Sequence, residues 1–149
     1  MLVVQDYIWN RVLENQGKVR TRIYFDEIQA YFENEGMASF FSNLYARVRK
    51  YGAIPVGITQ DPGLVLQGGK PGEAIFANTE FFAMMRLKGK NLFAIAEYLE
   101  LTEEQIKFLR YADGNRGEGL IIAKNHVVQM ENPIPEGSKI FNLVDTTVA

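Results

Sequence analysis

The run Arg22-Ile23-Tyr24-Phe25 is short, β-prone and stops abruptly at two acids, Asp26 and Glu27. A buried parallel strand ends this way, its apolar side chains held inside the layer and its polar groups emerging at the carboxyl edge. From Met37 the pattern changes period. Phe40, Phe41, Leu44, Tyr45 and Val48 line one helical face, Arg47, Arg49 and Lys50 load the last turn, and Gly52 ends it. A second β-prone run, Ala53 to Thr59, follows at once and closes at Gln60-Asp61-Pro62-Gly63, which reads as a turn. This alternation of strand and helix calls for an α/β layer with a largely parallel sheet.

The flanking segments extend the pattern. Val3, Val4, Tyr7, Ile8 and Val12 recur at steps of three and four residues before Gly17, predicting an amphipathic opening helix. A Gly/Pro-rich loop is expected from Gln67 to Gly72, a short helix around Glu73 to Ala77, and a third strand, continuing the sheet, from Phe81 to Leu87. Asn91 to Leu99 reads as a helix, and Thr102 with Gln105 makes a capping box for another that reaches Tyr111. Leu120 to Lys124 and Val127 to Met130 form a hairpin about an Asn125-His126 turn, and the tail beyond Pro133 and Pro135 holds at most one more helical turn. No linker separates two domains, so residues 1–149 are expected to form one.

Composition excludes several classes. Hydrophobic residues make up 47% of the chain, which is enough for a core. Eighteen acidic and sixteen basic residues leave a formal charge of -2, without the uniformly basic footprint of a duplex-binding protein. The absence of cysteine removes disulfides and thiolate chemistry and is compatible with a reducing compartment. Met1 to Asn10 lacks the basic leader and apolar stretch of a signal peptide, and no window approaches a membrane span of roughly 18–20 apolar residues.

The chemistry-bearing pattern is the strand that ends in Asp-Glu. Phosphoryl-transfer motors hold two acids rigidly at a sheet edge, one to order magnesium and one to polarise the attacking water. Asp26 would take the first role and Glu27 the second, although two solvated acids at a strand end have the same pattern. A neighbouring parallel strand would bring Thr59 and Gln60 beside them, where Gln60 could bond the γ-phosphate or the water. The alternative is an ordinary polar strand end. Arg47, Arg49 and Lys50 read first as a solvated helix end that complements the dipole. His126 stands alone in a turn without partners for a metal. Neither Gly114 to Gly119 nor Gly68-Gly69-Lys70-Pro71 ends in the Gly-Lys-Ser/Thr of a phosphate loop.

In order, Arg22-Ile23-Tyr24-Phe25-Asp26-Glu27, the Arg-Lys-Tyr-Gly segment ending at Gly52, Gly57-Ile58-Thr59-Gln60, and Asn78 before an apolar strand resemble the carboxyl-terminal part of the conjugative-transfer ATPases that energise type IV secretion systems. The likeness runs from the opening helix to about Asp145. It implies a partial RecA-like P-loop fold, with Asp26-Glu27 similar to the Walker B motif and Thr59-Gln60 to the downstream glutamine motif. It further implies that Arg47 or Arg49 reaches the nucleotide of a neighbouring subunit, that Thr59 and Asp26 lie in the cofactor site, and that the cofactors are ATP and magnesium.

The same resemblance implies a hexamer-type assembly with secretion-channel proteins at the cytoplasmic face of a bacterial membrane, and an indirect part in moving DNA. The Walker A strand, loop and helix that the family places ahead of these motifs are not among these residues, so negligible ATP turnover is expected of this chain alone. Two other readings stay open. One is a non-catalytic module that associates with itself or the secretion apparatus through sheet surface left bare; the other is a small-molecule enzyme of another α/β class using the same acids.

Overall fold

The computed structural model describes residues 2–144, so Asp145, where the expected likeness ends, lies outside the described residues. Two compact units divide the chain, Met1–Thr79 and Glu80–Ala149, each with its own sheet. In the first unit α1 (Leu2–Asn15) leads to β1 (Thr21–Phe25), a 3-10 turn at Ile28–Glu33, α2 (Glu35–Arg47), a second 3-10 turn at Val48–Tyr51, β2 (Ala53–Gly57), α3 (Pro62–Gln67) and α4 (Lys70–Ala77). β1 and β2 pair in parallel, from Thr21 opposite Ala53 to Phe25 opposite Gly57. The expected crossover therefore forms. The second strand is shorter than its sequence suggests, ending at Gly57, yet the ladder continues beyond it. Ile58 N–H donates to the Phe25 carbonyl at 2.9 Å and Ile28 N–H to the Ile58 carbonyl at 3.0 Å.

Helix α2 starts where Asn34 Oδ1 accepts from Met37 N–H at 3.1 Å, satisfying one of the unpaired amides of the first turn. Its buried residues, Met37, Ala38, Phe41, Leu44 and Tyr45, follow the helical period. Phe41 is the hub: Phe25 meets it edge-on with centroids 4.7 Å apart, and Tyr31 lies 5.1 Å away. Burying one such ring stabilises by roughly 1.5–3 kcal/mol, and each aromatic pair adds about 0.5–1.5 kcal/mol. Arg47 closes α2, while Arg49 and Lys50 fall in the 3-10 turn, which Gly52 ends at φ 74.

Two sequence expectations shift in this unit. α1 is amphipathic, but its inward stripe is Gln5, Ile8, Trp9 and Val12, with Trp9 edge-on to Tyr51 at 5.3 Å, whereas Val3, Val4 and Tyr7 are exposed. The periodicity was legible, but the choice between two adjacent apolar stripes is set by what lies opposite. The turn at Gln60 to Gly63 and the loop from Gln67 to Gly72 are instead mostly helix ends. Asp61 Oδ1 accepts from Leu64 N–H at 3.0 Å and Pro62 opens α3. Only Gly68 and Gly69 separate α3 from α4. Asp-Pro and Gly-Lys-Pro are helix start signals as well as turn signals, because proline's fixed φ suits the first helical turn.

The second unit holds β3 (Phe81–Met85), α5 (Gly89–Tyr98), α6 (Glu103–Tyr111), β4 (Gly119–Ala123), β5 (His126–Met130) and α7 (Lys139–Val144). Its sheet is antiparallel, in the order β3-β4-β5. The third strand forms as expected but does not extend the parallel pair. Phe81 faces Ala123 and Met85 faces Gly119. The cause is the number of helices between strands: one helix returns the chain to start a parallel strand, as α2 does, while the pair α5 and α6 delivers it to the opposite end. The capping box is complete, with Gln105 N–H donating to Thr102 Oγ1 at 3.3 Å and Thr102 N–H to Gln105 Oε1 at 2.9 Å. The hairpin turn sits one residue earlier than expected, at Lys124-Asn125, so His126 is an exposed strand residue paired with Ala123.

Close packing at two points yields measurable expectations. A Cβ on Gly72 would lie 1.8 Å from the Val65 carbonyl oxygen, backbone against backbone. Gly72→Ala is expected to cost about 3 kcal/mol despite the better helix propensity of alanine, read as a lower urea midpoint. Tyr45, on α2, is buried, and desolvation pushes its hydroxyl up to about 12 against the opposing backbone hydrogen bond at Gly57. An unfolded tyrosine titrates near 10, so the fold holds this proton more tightly. That stabilisation is complete below pH 10 and is lost as the pH rises through about 12. The thermal midpoint should fall across this window, and Tyr45→Phe, which cannot ionise, should flatten that part of the profile.

Candidate functional site

The parallel register decides which polar residues meet. With Phe25 opposite Gly57, the next residues of each chain emerge together at the carboxyl edge of β1 and β2. Asp26 is exposed there, and its Oδ1 accepts from Glu27 N–H at 3.0 Å. Glu27 takes a left-handed backbone conformation, φ 49 and ψ 47, which a non-glycine residue adopts at some cost. That bend swings its carboxylate back across the end of the sheet. Gln60 Nε2 donates to Glu27 Oε1 at 2.5 Å.

The other carboxylate oxygen of Glu27 accepts from Gln29 Nε2. Gln29 Oε1 in turn accepts from Thr59 Oγ1 at 2.5 Å, and Thr59 Oγ1 accepts from Asp61 N–H at 3.0 Å. A continuous chain of bonds thus runs from the amino-terminal cap of α3 through Thr59 and Gln29 to Glu27, which Gln60 holds from the other side. Glu27, Gln29 and Thr59 are half-buried, so these bonds lie partly out of water. The sequence suggested Asp26, Glu27, Thr59 and Gln60, and the structure brings all four to one edge. Gln29 was missed, because a glutamine two residues past the acids has no pattern of its own and gains meaning only when the 3-10 turn folds it back.

Arg47 and Arg49 are placed elsewhere. Both are exposed and lie just ahead of Ala53, at the amino-terminal edge of β2. The five residues of that strand put them roughly 16 Å from the acids along the strand direction. Within one chain they do not join the site.

Metal chemistry has a limited donor set. Among the described residues no group of three or more His, Cys, Asp or Glu side chains converges. Magnesium does not require one, since it keeps several waters and is held by one or two carboxylates together with substrate phosphates. Exposed Asp26 fits that demand as a single donor. No helix among the described residues is long and apolar enough to cross a membrane.

No family model and no curated protein sequence matches this chain. Among solved structures it is similar to VirB4 of Thermoanaerobacter pseudethanolicus, a type IV secretion ATPase, with a TM-score of 0.76 and 25% identity over 89% of this chain. It is also similar to the genome packaging NTPase B204 of Sulfolobus turreted icosahedral virus 2, solved in complex with AMP (TM-score 0.58, 14% identity) and with AMPPCP (0.59, 15%), each over 89% of this chain. The viral likeness concerns the fold alone. The chain spans 36% of the length of the VirB4 chain and 62% of the viral one. The fold is thus similar to part of VirB4 and matches a partial RecA-like core.

Proposed function

We propose that this chain carries the hydrolytic edge of a motor ATPase of the type IV secretion kind, working with a phosphate loop supplied by residues outside it. The observation that carries the reading is the Gln60–Glu27–Gln29–Thr59 network. A water-polarising carboxylate must be held at a fixed point, and its grip must respond to what occupies the site. Glu27 is held by two amides, one of which, Gln60, follows the second strand and could exchange Glu27 for a γ-phosphate oxygen. Asp26 would hold magnesium through water, and Thr59 lines the same edge. Magnesium, when bound, would supply positive charge to the phosphate oxygens.

In this reading both compact units belong to one motor domain. Arg47 and Arg49, too far from their own acids, would serve the nucleotide of an adjacent subunit in a hexamer-type ring, where a guanidinium stabilises transition-state charge. Association with secretion-channel proteins at the cytoplasmic face of a membrane, and an indirect role in moving DNA, belong to the same proposal. The 149 residues contain no loop ending in Gly-Lys-Ser/Thr, so the chain by itself should neither bind ATP tightly nor turn it over.

When these residues are joined to a preceding segment bearing that loop, ATP hydrolysis is expected. Glu27→Gln should then lower kcat at least about 100-fold; turnover at the unsubstituted rate would remove Glu27 from its role. Gln29→Leu leaves the carboxylate in place and removes one of its bonds, so a loss of about tenfold is expected with little change in thermal midpoint.

A second reading is favoured by one surface. Tyr24 and Ile54 point from the face of the β1–β2 pair opposite Phe25 and are 64% and 45% exposed. An apolar sheet face left in water drives association. If the chain is a non-catalytic module that pairs with itself there, sedimentation will depend on concentration and Tyr24→Lys will abolish that dependence. A monomer at all concentrations excludes this reading.

A further inference from the structure

We propose that Thr59 is a positioning residue for Glu27, acting through Gln29, and that it makes no hydrogen bond to the phosphates of a nucleotide. Its hydroxyl has one proton to give, and that proton goes to Gln29 Oε1 at 2.5 Å. The hydroxyl oxygen is engaged as well, accepting from Asp61 N–H at 3.0 Å. A phosphate oxygen can only accept, so Thr59 would bond one only by releasing Gln29. All three side chains of the relay, Thr59, Gln29 and Glu27, are half-buried, so water competes weakly for these bonds. The place in the cofactor site that the sequence resemblance implies for Thr59 thereby becomes an indirect one: the threonine stands at the site and serves its carboxylate.

The direction of each bond matters, because the two ends of a glutamine amide have opposite capacities. With Oε1 turned to the threonine proton, Gln29 presents Nε2 to Glu27, whose Oε2 accepts from it. Reversed, the amide would set its own oxygen against the carboxylate and leave Glu27 with Gln60 alone. From the Asp61 N–H through the Thr59 hydroxyl to the Gln29 amide, every donor points toward the negative charge, an arrangement in which each bond strengthens the next. Gln60 has no such lock among the described residues: it is exposed, and its Nε2 donates to Glu27 Oε1. The two amides are therefore unequal. Gln60 is the one able to leave for a phosphate oxygen, and Gln29 then keeps Oε2 fixed while Oε1 opens to the attacking water. This last step rests on the hydrolytic reading, whereas the orientation of Gln29 by Thr59 does not.

Nitrogen–proton NMR of the full chain, without ATP, tests the orientation. The side-chain amide pair of Gln29 is identified by its loss in Gln29→Leu. Glu27→Gln removes the charge to which that amide donates, so the pair should shift. In a Thr59→Val background, which keeps the shape and removes the hydroxyl, the shift should fall at least about threefold, and Thr59→Ser should restore it. Thr59→Ala repeats the comparison if valine disturbs the fold, and matching thermal midpoints show which variants are folded. In the protein joined to its phosphate-loop segment, Thr59→Val should lower kcat about tenfold at unchanged KM for ATP, with recovery in Thr59→Ser. A Glu27-dependent shift that survives Thr59→Val overturns the relay whatever the turnover. A raised KM at unchanged kcat makes Thr59 a nucleotide ligand and overturns it too. If the NMR coupling is present and the joined, unsubstituted protein does not hydrolyse ATP, the hydrolytic reading fails and the placement of Gln29 by Thr59 stands.

Discussion

The edge-to-face contact between Phe25 and Phe41 is the joint on which the candidate site depends. Phe25 is the last residue of β1 and Phe41 the centre of the buried face of α2, with ring centroids 4.7 Å apart. Whatever fixes Phe25 also fixes the point at which the backbone leaves the sheet and turns into Asp26 and Glu27. Tyr31, from the 3-10 turn that carries Gln29, packs on the same Phe41 ring. One hydrophobic hub thus positions both the strand end that delivers the acids and the turn that delivers the glutamine holding one of them. Placement of the acids and core packing are the same problem here: loss of the Phe41 ring would free the acids as well as hollow the core.

The strand β1, the helix α2 and the strand β2 were legible because each has a period of its own, and a single intervening helix leaves only a parallel return. The direction of β3 was not, although the strand, α5 and α6 were each readable. Both helices and the break between them were read from the sequence, but the direction of β3 depends on which strand it pairs with, and no local pattern marks that. Leu99 N–H and Leu101 N–H bond back to Ile95 and Ala96, closing α5 before Thr102 opens α6. Likewise, the surplus apolar residues of α1 could not be sorted, because Val3 and Val12 have equal claims on a helical wheel and differ only in what faces them.

The site was legible in proportion to how much of it is strand. Asp26, Glu27, Thr59 and Gln60 follow two strands in parallel, so register alone brings them together. Gln29 belongs to a 3-10 turn whose path is set by tertiary packing, and no local pattern marks it. The arginine-bearing turn was recognised by order in the sequence, yet order says nothing about which edge of the sheet a residue occupies. The crossover answers that question: a helix connecting parallel strands begins near the carboxyl end of one and must finish near the amino end of the next. Arg47 and Arg49 are therefore far from the acids of their own chain for the same topological reason that Gln60 is near them.

Net charge conceals the second unit in a similar way. A total of -2 averages the acids Glu97, Glu103 and Glu104 with the cations Arg86 and Lys88 before them and Lys107 and Arg110 after them. Folding gathers the cations that the sequence holds apart. In α6 the residues at 103, 106, 107 and 110 share a face by helical spacing, which brings Lys107 and Arg110 to one surface hollow, while the return of the chain through α5 puts Phe93 beneath Arg110. An electrostatic argument from composition is sound for a uniformly charged surface. It fails where folding gathers cations from separate segments onto one surface. That gathering, and not any run of basic residues, is what leaves four cations, one acid and two exposed rings around one pair of hollows.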